Sequence, residues 1–144
     1  MAKKIEKTNA ARLLDRAKIA YELVPYTVDE DNLAATHVAE ELGEVAAELA
    51  DLSILTSDNP GTEDPVQIID EIAAAFGDNS KSYIKIPDRS DAIRCAVSIL
   101  QKGDILVLAG KGQETYQILA SGKIHYDERE VVAKILSEKA VENK

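Results

Sequence analysis

Residues 105–109, ILVLA, are apolar at every position, and no other segment constrains the fold as much. A strand without polar alternation must be covered on both faces, as happens inside a parallel sheet flanked by helices. The surrounding segments supply such covers. Residues 9–18 place Ala10, Leu13, Leu14 and Ala17 on one helical face behind Thr8 or Asn9 as the cap. Residues 21–27, YELVPYT, read as a strand at an edge or bulge, because Pro25 cannot donate to a ladder. An acidic turn at 29–32 leads to a helix capped near Thr36, in which Val38, Leu42, Val45 and Leu49 form one stripe. Gly43 interrupts that stripe and either ends or bends the helix.

The remaining pattern is more regular. A short strand at 52–56 precedes Asp64-Pro65-Val66-Gln67, a helix start with Asp at the cap and Pro at the first helical position. Its inward stripe is Val66, Ile69, Ile72, Ala73 and Phe76, with Gly77 as the stop. Residues 81–86 read as a strand, and Asp88 or Ser90 caps a helix burying Ile93, Ala96, Val97 and Leu100 up to Gly103. Segments 116–119 and 123–126 pair as a hairpin, or the first joins a short helix. A capping box at 127–130 opens the last helix, with Val131, Val132 and Ile135 inward. Such alternation implies right-handed crossovers and one α/β domain over 1–144: a three-layer Rossmann-like sandwich with a mostly parallel sheet and a carboxyl-terminal hairpin. Aromatics are only 4% of the 144 residues, with no Trp and a single Phe76, so the core is built from Ala, Ile, Leu and Val.

Charge excludes some functions. Lys and Arg number 17 against 26 acids, a net charge of -9, and no Lys or Arg occurs between Lys18 and Lys81. Such a surface repels phosphate-rich partners, so no nucleic-acid partner is expected. The basic residues from Lys3 to Lys18 read as a solvated helix face or solubilising tail. No apolar run approaches the roughly 20 residues of a membrane span, and the amino terminus lacks a signal-peptide core. Cys95 is alone, which excludes an internal disulfide. A cytoplasmic protein without a membrane partner is expected.

Ligands of parallel α/β sheets bind beyond the carboxyl ends of the strands. Two loops belong there: Ser57-Asp58-Asn59-Pro60-Gly61, and Gly110-Lys111-Gly112-Gln113-Glu114. Asp58 and Asn59 offer acceptors and donors for the ends of an amino acid, or simply form an Asx turn before Pro60. Gly110 and Gly112 leave backbone N–H groups free to face a ligand, Lys111 brings positive charge and Glu114 an acceptor for an ammonium. The bland alternative is a plain turn with a surface lysine. No phosphate-loop spacing occurs, so no nucleotide cofactor is expected. No catalytic group assembles either. Cys95 sits in an amphipathic helix, His37 and His125 lie too far apart for a metal spacing, and Asp127, Glu128 and Glu130 are explained by capping.

From Glu44 or Val45 onward, EVAAELADLSILTSDNP, EDPVQIIDEI, DRSDAIRCAV, GDILVLAGKGQETYQI and KIHYDEREVV resemble the carboxyl-terminal domain of the muramyl-peptide (Mur) ligase family, nearest its UDP-N-acetylmuramyl-tripeptide synthetase branch. In that family this domain grips the incoming amino acid, while ATP and the UDP-sugar sit mainly on two preceding domains. The resemblance makes Asp58, Asn59, Gly110, Lys111 and Glu114 the substrate-facing residues and implies a weak amino-acid ligand. Where diaminopimelate-using members have Asp-Asn-Pro-Arg, this chain has Gly61 in the arginine position, and Gln113 stands where a histidine is usual. The loss of arginine removes a bidentate grip on the ligand's distal carboxylate. Residues 1–43 resemble the start of YbaK-type aminoacyl-tRNA deacylases through Thr8-Asn9-Ala10-Ala11, Tyr21-Glu22 and His37-Val38-Ala39. Two resemblances meeting near Gly43 imply an engineered, non-catalytic chimera. The alternatives are a natural fragment or subunit of a peptidoglycan-precursor amino-acid ligase, and a deacylase-like editing protein.

Overall fold

The computed structural model describes Arg12, Asp15, Arg16, Gly43, residues 45–74, Phe76 and residues 83–142. The chain divides into two units, Met1–Leu33 and Ala34–Lys144, and nearly all described residues belong to the second. Arg12, Asp15 and Arg16 are helical and exposed, in keeping with a helix over 9–18. The expected strand at 21–27, the helix start near Thr36, the inward positions Val38 and Leu42, and the stop at Gly77 lie outside the described residues.

In the second unit, β1 (Ser53–Leu55) is followed by α1 (Pro65–Ala74), β2 (Tyr83–Lys85) and α2 (Arg89–Ile99). The hairpin β3 (Tyr116–Leu119) and β4 (Gly122–His125) then leads to α3 (Glu128–Glu142). β1 and β2 pair in parallel, with Ile54 opposite Ile84; β3 and β4 pair antiparallel from Tyr116–His125 to Leu119–Gly122. The described residues therefore form a mixed α/β fold with two two-stranded sheets, not the single parallel sheet of a three-layer sandwich.

Local chemistry explains the helix starts. The Asp64 carboxylate accepts from Val66 N at 2.9 Å with Pro65 at the first helical position, and Asp88 accepts from Asp91 N at 2.9 Å. The choice between Asp88 and Ser90 as cap thus falls to Asp88. At α3, Asp127 accepts from Arg129 N at 2.9 Å, but the reciprocal half of a capping box does not form: Glu130 reaches back to His125 Nε2 at 2.7 Å. α2 ends at Ile99, before Gly103, because Leu100 turns to extended backbone.

Two apolar clusters carry the packing. Leu55, Ile69, Ala73 and Phe76 are buried together, with Ala46, Ala47, Ile72 and Tyr83 against them. Ile93, Val97 and Ile135 form the second, with Leu106, Leu108, Val131 and Val132. Burying a side chain such as Ile69 contributes about 1.5–3 kcal/mol. Phe76 and Tyr83 meet with ring centroids 5.0 Å apart at 51°, the tilted geometry aromatic quadrupoles favour.

Three further expectations are corrected. Residues 105–109 join no ladder: Leu106 and Leu108 pack on α2 and α3, while Ile105 and Val107 are 81% and 76% exposed. Among the described residues, helices cover one face of this segment and it pairs with no strand. Next, Leu49 is 57% exposed and Val45 only half-buried, so they do not form a buried stripe. The helical segment at Gly43 and 45–49 instead packs through Ala46 and Ala47, with Gly43 buried. A Cβ on Gly43 would lie 3.3 Å from Ile72 Cγ2, so a close approach of two helices selects the small residues. Last, Val66 is exposed, because the inward face of α1 runs through Ile69 and Ala73, with Phe76 buried just beyond its end.

Candidate functional site

The two loops singled out from the sequence come together. The first leaves β1 at Ser57, whose buried hydroxyl donates to Pro87 O at 2.6 Å, and it is held at its far end by Gly61 N donating to Ile118 O at 3.0 Å. The second turns tightly: Glu114 N donates to Lys111 O at 2.9 Å, with Gly110 and Gly112 at φ +107° and +55°. Those left-handed values suit glycine, which has no Cβ to clash with the backbone.

Asn59 is the joint between them. Its Oδ1 accepts from Lys111 Nζ and from Ile118 N, each at 3.0 Å, and its Nδ2 donates to Glu114 Oε2 at 3.0 Å. The local Asx-turn alternative is thereby replaced by long-range bonds. Lys111 Nζ also lies 2.7 Å from Asp58 Oδ1 and 3.4 Å from Glu114 Oε2. The contact with Asp58 is a close ion pair without hydrogen-bond alignment, since Asp58 Oδ1 is buried with no directed donor. Gln117, buried on β3, donates to the Asp58 carbonyl at 2.8 Å.

This geometry corrects the reading of Lys111. Its side chain is 0% exposed, so the alternative of a surface lysine fails and the ammonium ties the two loops internally. Asp58 and Glu114 stay partly exposed and present the cluster's negative charge to solvent. Hydrogen bonding from Asn59, reinforced by Lys111, holds the Glu114 carboxyl below the ordinary glutamate range despite some opposing desolvation. Glu114 is therefore ionised at neutral pH and able to accept from an ammonium group. It also borders a cavity of about 470 Å³ between the second loop and α3, floored by Leu108, Val132 and Leu136.

Other expected groups stay apart. Among the described residues, no cluster of three or more His, Cys, Asp or Glu could hold a metal ion, and no helix is long and apolar enough to cross a membrane. Cys95 is half-buried on α2, and His37 lies outside the described residues. His125 pairs with Glu130, while Asp127 is held down to about 2 chiefly by the Arg129 guanidinium hydrogen-bonded to it. One residue near the site escaped the sequence reading: Arg89, buried at the head of α2, donates to Ser57 O at 3.3 Å and Ala109 O at 2.7 Å. A signal was available, since a cation in a first helical turn opposes the helix dipole and needs another reason to be there.

The family profile described as "Mur ligase, glutamate ligase domain" matches residues 9–112, which is more than half of the chain. The chain belongs to the Mur ligase family. Among its curated relatives, the UDP-N-acetylmuramoyl-L-alanyl-D-glutamate–2,6-diaminopimelate ligases of Caldanaerobacter subterraneus subsp. tengcongensis and Clostridium tetani are each 50% identical over 97 residues, 67% of this chain and 20% of theirs. The same-named ligase of Trichormus variabilis is 50% identical over 99 residues, 69% of this chain and 20% of its own. The chain thus spans about a fifth of the length of the Mur ligases it matches. A single family profile runs across Gly43, and nothing in the comparisons supports a deacylase-like segment at 1–43 or a join near that glycine.

Proposed function

We propose that this chain is the amino-acid-recognition part of a peptidoglycan-precursor ligase, the reading given above as an alternative to a chimera. The relatives' printed names describe ligases that act on 2,6-diaminopimelate. The single observation that carries the reading is the bond from Asn59 Nδ2 to Glu114 Oε2 at 3.0 Å, which makes one cradle from two loops 55 residues apart. In this reading the ligand's ammonium sits at Glu114 and its polar end at Asn59. Turnover of ATP belongs to other parts of such a ligase, and this chain alone is non-catalytic.

Gly61 bears on which amino acid binds. It has φ +59°, and no atom comes within 4 Å of where its Cβ would stand. An arginine therefore has room there but must adopt a left-handed backbone at a cost of about 1–2 kcal/mol. That strain lowers folding stability and is common to the free and bound chain, whereas a charge-assisted bond to the distal carboxylate adds about 1.5–3 kcal/mol to binding. Calorimetry with meso-diaminopimelate is expected to show weak binding by the parent chain and a gain of about 10- to 150-fold for Gly61→Arg. Glu114→Gln in the Gly61→Arg background should remove that binding. Tight binding by the parent, or binding indifferent to both Gly61→Arg and Glu114→Gln, would overturn the reading.

A further inference from the structure

We infer that Arg89 is the positioning residue of the cradle: one buried guanidinium sets the separation of the two ligand-facing loops. The inference rests on the proposed recognition role, although the contacts themselves do not. Arg89 is 6% exposed and is the first residue of α2. Its Nη1 donates to the carbonyl of Ser57 and its Nη2 to the carbonyl of Ala109, at 3.3 and 2.7 Å. Each of those carbonyls belongs to the residue immediately before a candidate ligand-facing group, Asp58 in one loop and Gly110 in the other. The third direction is fixed as well, because Nε donates to Glu128 Oε1 at 2.8 Å and Nη2 lies 2.6 Å from the same oxygen.

Only a planar, five-donor group serves these three acceptors at once. A lysine ammonium carries the charge but lacks the fork. The glycine between its arms answers to the backbone, whose φ of +107° L side chains rarely adopt. A Cβ on Gly110 would make only ordinary contacts, 3.8 Å from Arg89 Nη2 and 3.7 Å from Asp58 Oδ2, which places the loop beside both guanidinium and carboxylate. Pro87 O, which accepts from Ser57 Oγ at 2.6 Å and Ser57 N at 3.3 Å, ties the approach to α2 to the same loop root. The loops are therefore referenced to the start of one helix and, through Glu128, to the start of another.

The decisive measurement needs no ligand. In NMR spectra of the full chain, the side-chain amide of Asn59 and the ammonium of Lys111 report the cradle, and the backbone amides of Ile69 and Val97 report the core. Arg89→Lys is expected to leave the core amides protected while speeding exchange at both Asn59 and Lys111 about tenfold or more, as for a local opening. Should Arg89→Lys fail to fold, Glu128→Ala frees the guanidinium at one end and is expected to speed the same two signals together, by a smaller factor. A folded Arg89→Lys chain with both signals protected as in the parent overturns the inference, as does a Glu128→Ala chain in which neither moves or only one does. With meso-diaminopimelate as probe, Arg89→Lys placed in the Gly61→Arg background should weaken binding about tenfold, whereas absence of binding in that background defeats the recognition role and leaves the exchange result standing.

Discussion

At the scale of single residues, chemistry legible in the sequence and chemistry decided by neighbours separate clearly at His125. The sequence places it in a strand near Glu130, and the structure makes them partners at 2.7 Å across the β4–α3 turn. The hydrogen bond that His125 donates to the Glu130 carboxylate is the main cause that raises the His125 pKa above its ordinary 6.5. An NMR titration should show that elevation, and Glu130→Gln should return the midpoint toward the ordinary value; an unchanged midpoint would mean that the pair does not form in solution. Lys111 shows the opposite limit. A lysine between two glycines reads as exposed, and only the arrival of Asp58, Asn59 and Glu114 from two loops makes its burial tolerable.

At the scale of elements, side-chain size and the supply of neighbours outranked hydrophobicity. Gly43, Ala46 and Ala47 follow one another at helical spacing, and it is this small-residue face, not Val45 and Leu49, that approaches α1. Gly43→Val is expected to cost about 1–3 kcal/mol by driving methyl groups into Ile72 and Phe76. Gly43→Ala should stay within about 1 kcal/mol of the parent, helix propensity offsetting the contact at 3.3 Å. Urea denaturation of the pair tests this, and an unaffected Val variant would refute the close approach. Residues 105–109 invite the converse experiment. Because Ile105 and Val107 are exposed on a segment that joins no ladder, the double change Ile105→Lys, Val107→Lys should alter stability by only about 0.5 kcal/mol. It should also lower self-association in light scattering, since apolar unpaired edges template pairing. A loss above about 1 kcal/mol would show that this face is covered in solution.

At the scale of the whole molecule, titrating groups act together on stability. Asp127, near 2, and Glu114 and Glu138, both lowered, contribute stability that is fully present above their ordinary pKa values and is lost as pH falls through the folded ones. His125, raised, contributes below 6.5 and its share is lost as pH rises through its folded value, where the net charge of -9 adds self-repulsion. The urea midpoint is therefore expected to be highest between the carboxylate values and 6.5, and Asp127→Asn should flatten the acid limb between 3.8 and about 2. An acid limb indifferent to that substitution would remove Asp127 from the account. By itself the sequence determined what depends on neighbours a few residues away: the cap at Asp64, a helix start at Asp88 or Ser90, and two glycine-bearing loops, while the hairpin at 116–126 was one of two local readings. Tertiary structure alone decided what depends on distant atoms. Whether the apolar run 105–109 had a strand beside it, which face of the helix at Gly43 met α1, and how Arg89 gathered carbonyls from both loops rest on contacts between segments tens of residues apart, to which local periodicity is blind.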